Sequence, residues 1–152
     1  MDRELSSLFE FLPIGAYRST PEGQAIRANA ALVRLNGYAT EAELLAAVRD
    51  IGAEWYVAPG RRDQLRRILE SEGQLRGAVS EVYRHKTRER IWVSENAHVV
   101  RDAEGRPSFY EGTVEEITER VQSALAVHRS EQHLRQIANH VPGMVYRVHF
   151  GP

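Results

Sequence analysis

A chain of 152 residues that is 42% hydrophobic and 27% charged has the balance of a globular domain, not of a disordered or membrane-embedded polypeptide. Its net charge of −1 supplies no general attraction to nucleic acid or to anionic lipid. The absence of cysteine excludes disulfides, thiolate metal sites and cysteinyl cofactor adducts, and fits a reducing, cytoplasmic setting.

Leu5, Leu8, Phe9 and Leu12 recur at helical spacing, and Pro13 ends the helix they define. Ile14 to Ser19 reads as a strand, Pro21-Glu22-Gly23 as a turn and Gln24 to Ala28 as a second strand. Asn29 is placed to cap a short helix carrying Leu32, Val33 and Leu35, which Asn36-Gly37 closes. Thr40 and Glu43 form a capping box for a helix from Glu41 to Val48. An apolar and aromatic tract with Trp55-Tyr56 leads to Pro59-Gly60, and a longer helix follows from Arg61 to Glu72. Strands are expected over 78–85, 90–100 and 107–115, joined by a charged turn at Lys86 to Glu89 and an acidic-glycine turn at Asp102 to Gly105. From Glu116 to about His140 the chain is polar, helix-favouring and free of Gly and Pro. The order is two strands, three helices, three strands and an exit helix, an α+β arrangement with helices on one face of an antiparallel sheet.

The opening pattern recurs. Leu134, Ile137, Ala138 and Val141 repeat the spacing, followed by Pro142 and Tyr146-Arg147, where the first copy has Pro13 and Tyr17-Arg18. The offset is 129 positions in both comparisons. The expected division is an amphipathic helix at 1–13, a domain at 14–117, a helical linker at 118–141 and the truncated start of a second unit at 142–152. Tandem units of this kind suit sensing or binding better than catalysis.

Four strings in order resemble a PAS domain with its PAC segment: IGAYRSTPEGQAIRAN running into AALVRLNGY, the Trp55-Tyr56 tract with Pro59 and Arg61-Arg62, RIWVSENAHVVRDAEGRP, and FYEGTVEEITER. The last is similar to the PAC ending, on Gly112, Glu116, Ile117, Thr118, Glu119 and Arg120. The wording is most similar to PAS units of bacterial cyclic-di-GMP enzymes and sensor histidine kinases. Two departures stand out: Glu116 replaces the usual Asp, and Lys86-Thr87-Arg88-Glu89-Arg90 replaces a Lys-Asp-Gly hairpin, which predicts a wider or more mobile turn. The resemblance implies a PAS fold, with a five-stranded antiparallel sheet, short helices on one face, a flanking N-terminal helix and a C-terminal signalling helix. Ligands of such domains occupy the space between sheet and helices.

Strand alternation selects the residues facing that space. In 91–100 the odd positions Ile91, Val93, Glu95, Ala97 and Val99 form the apolar face, with Glu95 its single exception. Tyr110, Gly112 and Val114 point inward from the last strand, and Glu81 and Tyr83 are assigned inward from the strand at 78–85. Together with Leu32 and Trp55 these make the candidate pocket: Leu32, Trp55, Glu81, Tyr83, Val93, Glu95, Tyr110, Gly112 and Val114. A buried carboxylate must pair, protonate or meet a ligand. Glu95 is therefore either a polar anchor in an apolar pocket or a structural group, held by an internal salt bridge or a helix N-terminus or open to solvent at a strand end. Trp55 reads as a core filler, with stacking on a planar ligand as the alternative.

Trp92, on the outer face, calls for a cover by the N-terminal helix or by a second subunit. The resemblance implies both, which makes Leu5, Leu8, Phe9, Leu12 and Trp92 a candidate homodimer interface. The long helix lacks the histidine that haem-binding relatives use, and no histidine spacing suits a metal, so no cofactor is expected. Non-covalent flavin or haem is kept as an alternative. The arginines of the long helix read as a solvated face rather than a nucleic-acid site, and no nucleophile-base pair or phosphate loop is present. The resemblance implies that Glu116, Thr118 and Arg120 mark the signal junction, where Glu116 is placed to bond the domain body. The exit helix carries two apolar sets in different phase, which read as local packing at each end or as a parallel two-stranded coil with a phase break. The expectation is a non-enzymatic cytoplasmic sensory module of a bacterial signalling protein. It binds a small ligand, dimerises, and biases a downstream effector in the same chain. A ligand-free spacer is the competing class.

Overall fold

A computed structural model describes residues 3–139, with side chains described from 7 to 132. The elements are α1 (Arg3–Phe11), β1 (Gly15–Ser19), β2 (Ala25–Ala28), α2 (Ala30–Leu35), α3 (Glu41–Ala47), α4 (Ile51–Glu54), α5 (Arg61–Glu72), β3 (Gln74–Arg84), β4 (Glu89–Arg101), β5 (Pro107–Glu116) and α6 (Thr118–Asn139). The five strands form one antiparallel sheet in the order β2-β1-β5-β4-β3. The first strand thus lies beside the last, and the hairpins β1–β2 and β3–β4 form the two edges. The unit up to Glu116 is compact in itself, and α6 belongs to a second. The expected second domain start at 142–152 lies outside the described residues.

The helices form where the capping chemistry places them. Asn29 Oδ1 accepts the Leu32 N–H at 3.0 Å and opens α2. Thr40 Oγ1 accepts the Glu43 N–H at 3.2 Å and opens α3. Four helices rather than three separate β2 from β3. The additional one, α4, is a single turn capped by Asp50, and Gly52 within an aromatic tract hid it from a periodicity argument. Gly73, in the left-handed region at φ 79°, stops α5, and β3 begins at once instead of four residues later. Its early start passes through a register break between Leu75 and Ala78, where Gly77 takes φ 60°.

The core lies between α2–α5 and the inner face of the sheet. It joins Leu32, Val33, Leu44, Leu65 and Leu69 to Val82, Ile91, Val93, Ala97 and Val114. In β4 the residues 91, 93, 95 and 97 are all buried. In β3 the assignment of Glu81 and Tyr83 to the inner face is corrected. Val82 pairs with Ile91 and Ser80 with Val93, and both are buried, whereas Glu81 pairs with Trp92 on the outer face. Directly opposed residues of an antiparallel pair share a face, so the reading was one residue out of phase. The last pair of the hairpin is Arg84 with Glu89, which leaves His85 to Arg88 as the turn.

That turn has no glycine, and Arg88 takes the left-handed conformation at φ 64°. The strain is held by contacts: the guanidinium lies 4.1 Å from the Tyr83 ring centroid and donates to the Glu54 carbonyl at 2.8 Å.

Candidate functional site

The inner face of the sheet and the helices α2 to α4 enclose a cavity of about 60 Å³. Its walls are mainly apolar: Leu32 from α2, Leu44 from α3, Ile51 from α4 and Val114 from β5. Glu95 closes one side, 5% exposed at the middle of β4. Its carboxylate accepts the Tyr17 hydroxyl at 2.5 Å and the Tyr56 hydroxyl at 2.8 Å, one on each oxygen. Two neutral donors thus hold a buried acceptor-only group. Burial pushes both phenols well above the usual tyrosine range, and the adjacent Glu95 charge adds to it.

Gly112 makes the Tyr17 contact possible. A Cβ there would lie 2.2 Å from the Asn96 carbonyl oxygen and 2.9 Å from the Tyr17 hydroxyl. Gly112 pairs with Tyr17 on one side and Ala97 on the other, so the phenol crosses the sheet over the bare glycine to reach β4. Close packing, not backbone conformation, is what this position needs.

Further polar residues border the same space: Arg18, paired with Glu111, Arg27, paired with Glu10 and Glu41, and Ser19, Asn36 and Arg62. Ser19, two residues from Tyr17 on the same face of β1, is 1% exposed, and among the described residues its hydroxyl has no hydrogen-bond partner. Arg62, from the first turn of α5, borders the cavity and donates to the Thr20 carbonyl at 3.1 Å. Asn36 supports the wall behind: its Oδ1 accepts the Trp55 indole N–H at 3.1 Å and the His85 backbone N–H at 3.2 Å. Trp55 is thereby fixed as a wall, its ring 5.2 Å from Tyr56 and nearly perpendicular to it.

Of the nine pocket residues expected from sequence, Leu32, Trp55, Glu95 and Val114 line the cavity. Val93 is wholly buried in the core, Gly112 lies under Tyr17, and Tyr110 turns its hydroxyl to Glu70 on α5. Burial, then the Glu70 contact, pushes the Tyr110 hydroxyl up to about 12. Glu81 and Tyr83 belong to the other face. Tyr17, Ser19, Tyr56 and Arg62 were missed, although the alternation of Tyr17, Arg18 and Ser19 on β1 carried the signal for two of them.

At the junction, Glu116 forms an ion pair with Arg84 at 3.3 Å. Arg84 also donates to the Leu35 carbonyl at 2.6 Å and to Glu89 at 2.8 Å. The guanidinium therefore joins the end of α2, the β3–β4 hairpin and the last residue of β5. Thr118 and Arg120 open α6.

On the outer face, Leu8, Phe9 and Leu12 border an open groove with strands β3 to β5. Leu8 is 61% exposed, and Phe11, which the apolar stripe did not include, is 84% exposed. Phe9 is partly covered by the Arg27 guanidinium, 4.9 Å from its ring. Trp92 is half-buried beside Glu81, and the Leu5 side chain lies outside those described. His85, beyond the end of β3, bonds Tyr38 at 2.6 Å and Glu54 at 2.9 Å, and His98 pairs with Glu111 at 3.2 Å. Among the described residues, no cluster of three or more His, Asp or Glu is arranged to hold a metal, and no helix is long and apolar enough to cross a membrane.

No protein-family model matches the chain, and no curated protein matches it. Solved structures do. A PAS domain from Colwellia psychrerythraea superposes with a TM-score of 0.64 at 16% identity, covering 77% of this chain and 97% of that one. A sensory box histidine kinase/response regulator from Burkholderia thailandensis gives 0.64 at 16% identity, over 88% of this chain and 99% of that one. This is the PAS fold. A domain of a sensory box sensor histidine kinase/response regulator from Geobacter sulfurreducens gives 0.58 at 22% identity, over 74% of this chain and 90% of that one. The PAS fold explains why the cavity lies between the helices and the inner sheet face, and why the chain leaves the sheet at Glu116 directly into a helix.

Proposed function

We propose that this chain is a sensory PAS module of a bacterial signal-transduction protein. A small molecule in the cavity is detected and its presence is relayed through α6 to an effector elsewhere in the same polypeptide. The observation that carries this reading is the buried Glu95 carboxylate, held by two phenols at the wall of an otherwise apolar cavity. A few convergent polar groups within apolar walls are the usual design of a small-molecule site. The Arg84–Glu116 pair supports the relay. Leu35, whose carbonyl Arg84 holds, is next in sequence to Asn36, which fixes the cavity wall at Trp55. The exposed Leu8 and Phe11 on α1 support homodimerisation through that helix and the outer sheet face.

The competing reading is a dimerising spacer with no ligand, which the small volume favours. About 60 Å³ is well below the roughly 300–1,000 Å³ of drug-sized pockets. A flavin or haem would need the helices α2 to α4 to move outward. Native mass spectrometry of protein purified without denaturant separates the readings. A non-covalent adduct lost on Leu44→Trp, which fills the cavity, supports sensing. Bare protein that does not gain stability from any compound of a metabolite panel makes the spacer the correct reading. Visible absorbance of the same sample tests the cofactor alternative.

A further inference from the structure

Resting on the pocket reading above, we infer that the cavity takes a small organic ammonium ion, with its cationic end at Glu95. The argument begins with charge. Glu95 is 5% exposed, and among the described residues no Lys, Arg or His lies within ion-pair distance of it; both its contacts are with neutral phenols. A buried carboxylate held only by neutral donors retains its attraction for a cation. A ligand carboxylate at the same place would meet a like charge, and a neutral alcohol would leave the charge uncompensated.

The second argument is the direction of the hydrogen bonds. Tyr17 and Tyr56 spend their O–H groups on Glu95, so their oxygens can only accept from a ligand. At this end the wall presents acceptors, and an ammonium presents three donors and no acceptor. The third argument is the aromatic lining. Trp55 and Tyr56 stand at 73° to one another, forming two walls beside Tyr17, and ring faces attract organic cations. Of the three arginines bordering the cavity, Arg18 pairs with Glu111 and Arg27 with Glu10 and Glu41, while Arg62 donates to the Thr20 carbonyl and lies 5.9 Å from the Tyr110 ring centroid. With the Ser19 hydroxyl, which has no hydrogen-bond partner among the described residues, Arg62 adds further polar lining to the cavity. The volume sets the size: 60 Å³ corresponds to roughly four to six non-hydrogen atoms, one per water-sized site.

The test compares n-butylammonium, n-butanol and n-butanoate at equal ionic strength. Binding is read from Trp55 fluorescence in a Trp92→Phe background and from thermal shift of the unsubstituted protein. Saturable binding of the ammonium at least about tenfold tighter than the alcohol, with none of the acid, is expected. Glu95→Gln should remove that preference while leaving the alcohol bound, and Ser19→Ala should not affect it. The wild-type series decides the matter even if Glu95→Gln does not fold. Alcohol or acid binding as tightly as the amine overturns the ammonium inference and leaves the pocket reading standing. No saturable binding of any of the three overturns the ammonium inference as well, and the pocket reading is then decided by the native mass spectrometry and metabolite panel described above.

Discussion

Glu95 shows how one residue can be read correctly from sequence and still be misunderstood. Alternation placed it on the inner face, but its partners come from positions 17 and 56, far away in the chain, so no local pattern names them. Each phenol should therefore contribute measurably. Tyr17→Phe or Tyr56→Phe leaves a buried carboxylate short of one donor, at a cost of about 1–3 kcal/mol in chemical denaturation. The double variant should depart from additivity, because both hydroxyls serve one carboxylate. The pH dependence follows from the raised phenol pKa values. A group whose folded pKa exceeds its unfolded value stabilises fully below the unfolded value, about 10 for tyrosine, and that contribution is lost as pH rises beyond it. Melting temperatures should therefore fall as the pH climbs above about 10. Each single variant should start lower near neutrality and decline less steeply. Parallel declines in wild type and both variants would show that these hydroxyls do not govern the alkaline limit.

At the scale of elements, capping chemistry and strand alternation made most of the fold legible, and the departures have identifiable causes. Asn29 was recognisable as the cap of α2, yet capping is one of four hydrogen bonds its side chain makes. Its Oδ1 also accepts the Ala16 N–H at 2.9 Å, and its amide donates to the carbonyls of Phe9 and Ile14, both at 3.0 Å. One fully buried side chain thus fastens α1 and β1 to the start of α2. Spacing could not announce the partners in α1 and β1, which the tertiary fold brings together. The phase error in β3 is of the same kind. The β3–β4 turn fixes that register, and a glycine-free hairpin with Arg88 at positive φ matches none of the common turn signatures. Asn29→Asp keeps both acceptor bonds but replaces the two donors with oxygen facing carbonyl oxygen. The expected result is a loss of about 2–4 kcal/mol and faster amide hydrogen exchange at the carboxyl end of α1 than in β4. Uniform acceleration across all elements would mean that Asn29 supports the fold as a whole and is no specific tether for α1.

For the whole molecule, what matters is whether the cavity and the root of α6 are joined by something that can be changed without unfolding the domain. Arg84 and Glu116 differ in this respect, although they form one ion pair. Glu116 is 36% and Arg84 23% exposed at the side chain, and a pair this accessible to water contributes about 0–1 kcal/mol. Arg84 has a second duty, since the Leu35 carbonyl at the end of α2 takes a 2.6 Å hydrogen bond from it. Removing Arg84 therefore strips a helix-end acceptor as well as the ion pairs with Glu116 and Glu89. Arg84→Ala should cost about 1–3 kcal/mol in the isolated domain, whereas Glu116→Ala should remain within about 1 kcal/mol of wild type. The functional ranking should differ from the stability ranking. If the pair couples the α2 side of the cavity to the start of α6, both substitutions will abolish the ligand response of the effector in the full-length protein. Glu116→Ala will do so with its melting temperature almost unchanged. A full-length Glu116→Ala protein with a normal ligand response would mean that the signal leaves the sheet by another route. Glu116→Asp, which shortens the side chain by one methylene, tests whether charge alone suffices. Recovery of the response requires only an acid here, whereas failure requires the extra methylene that lets Glu116 reach Arg84.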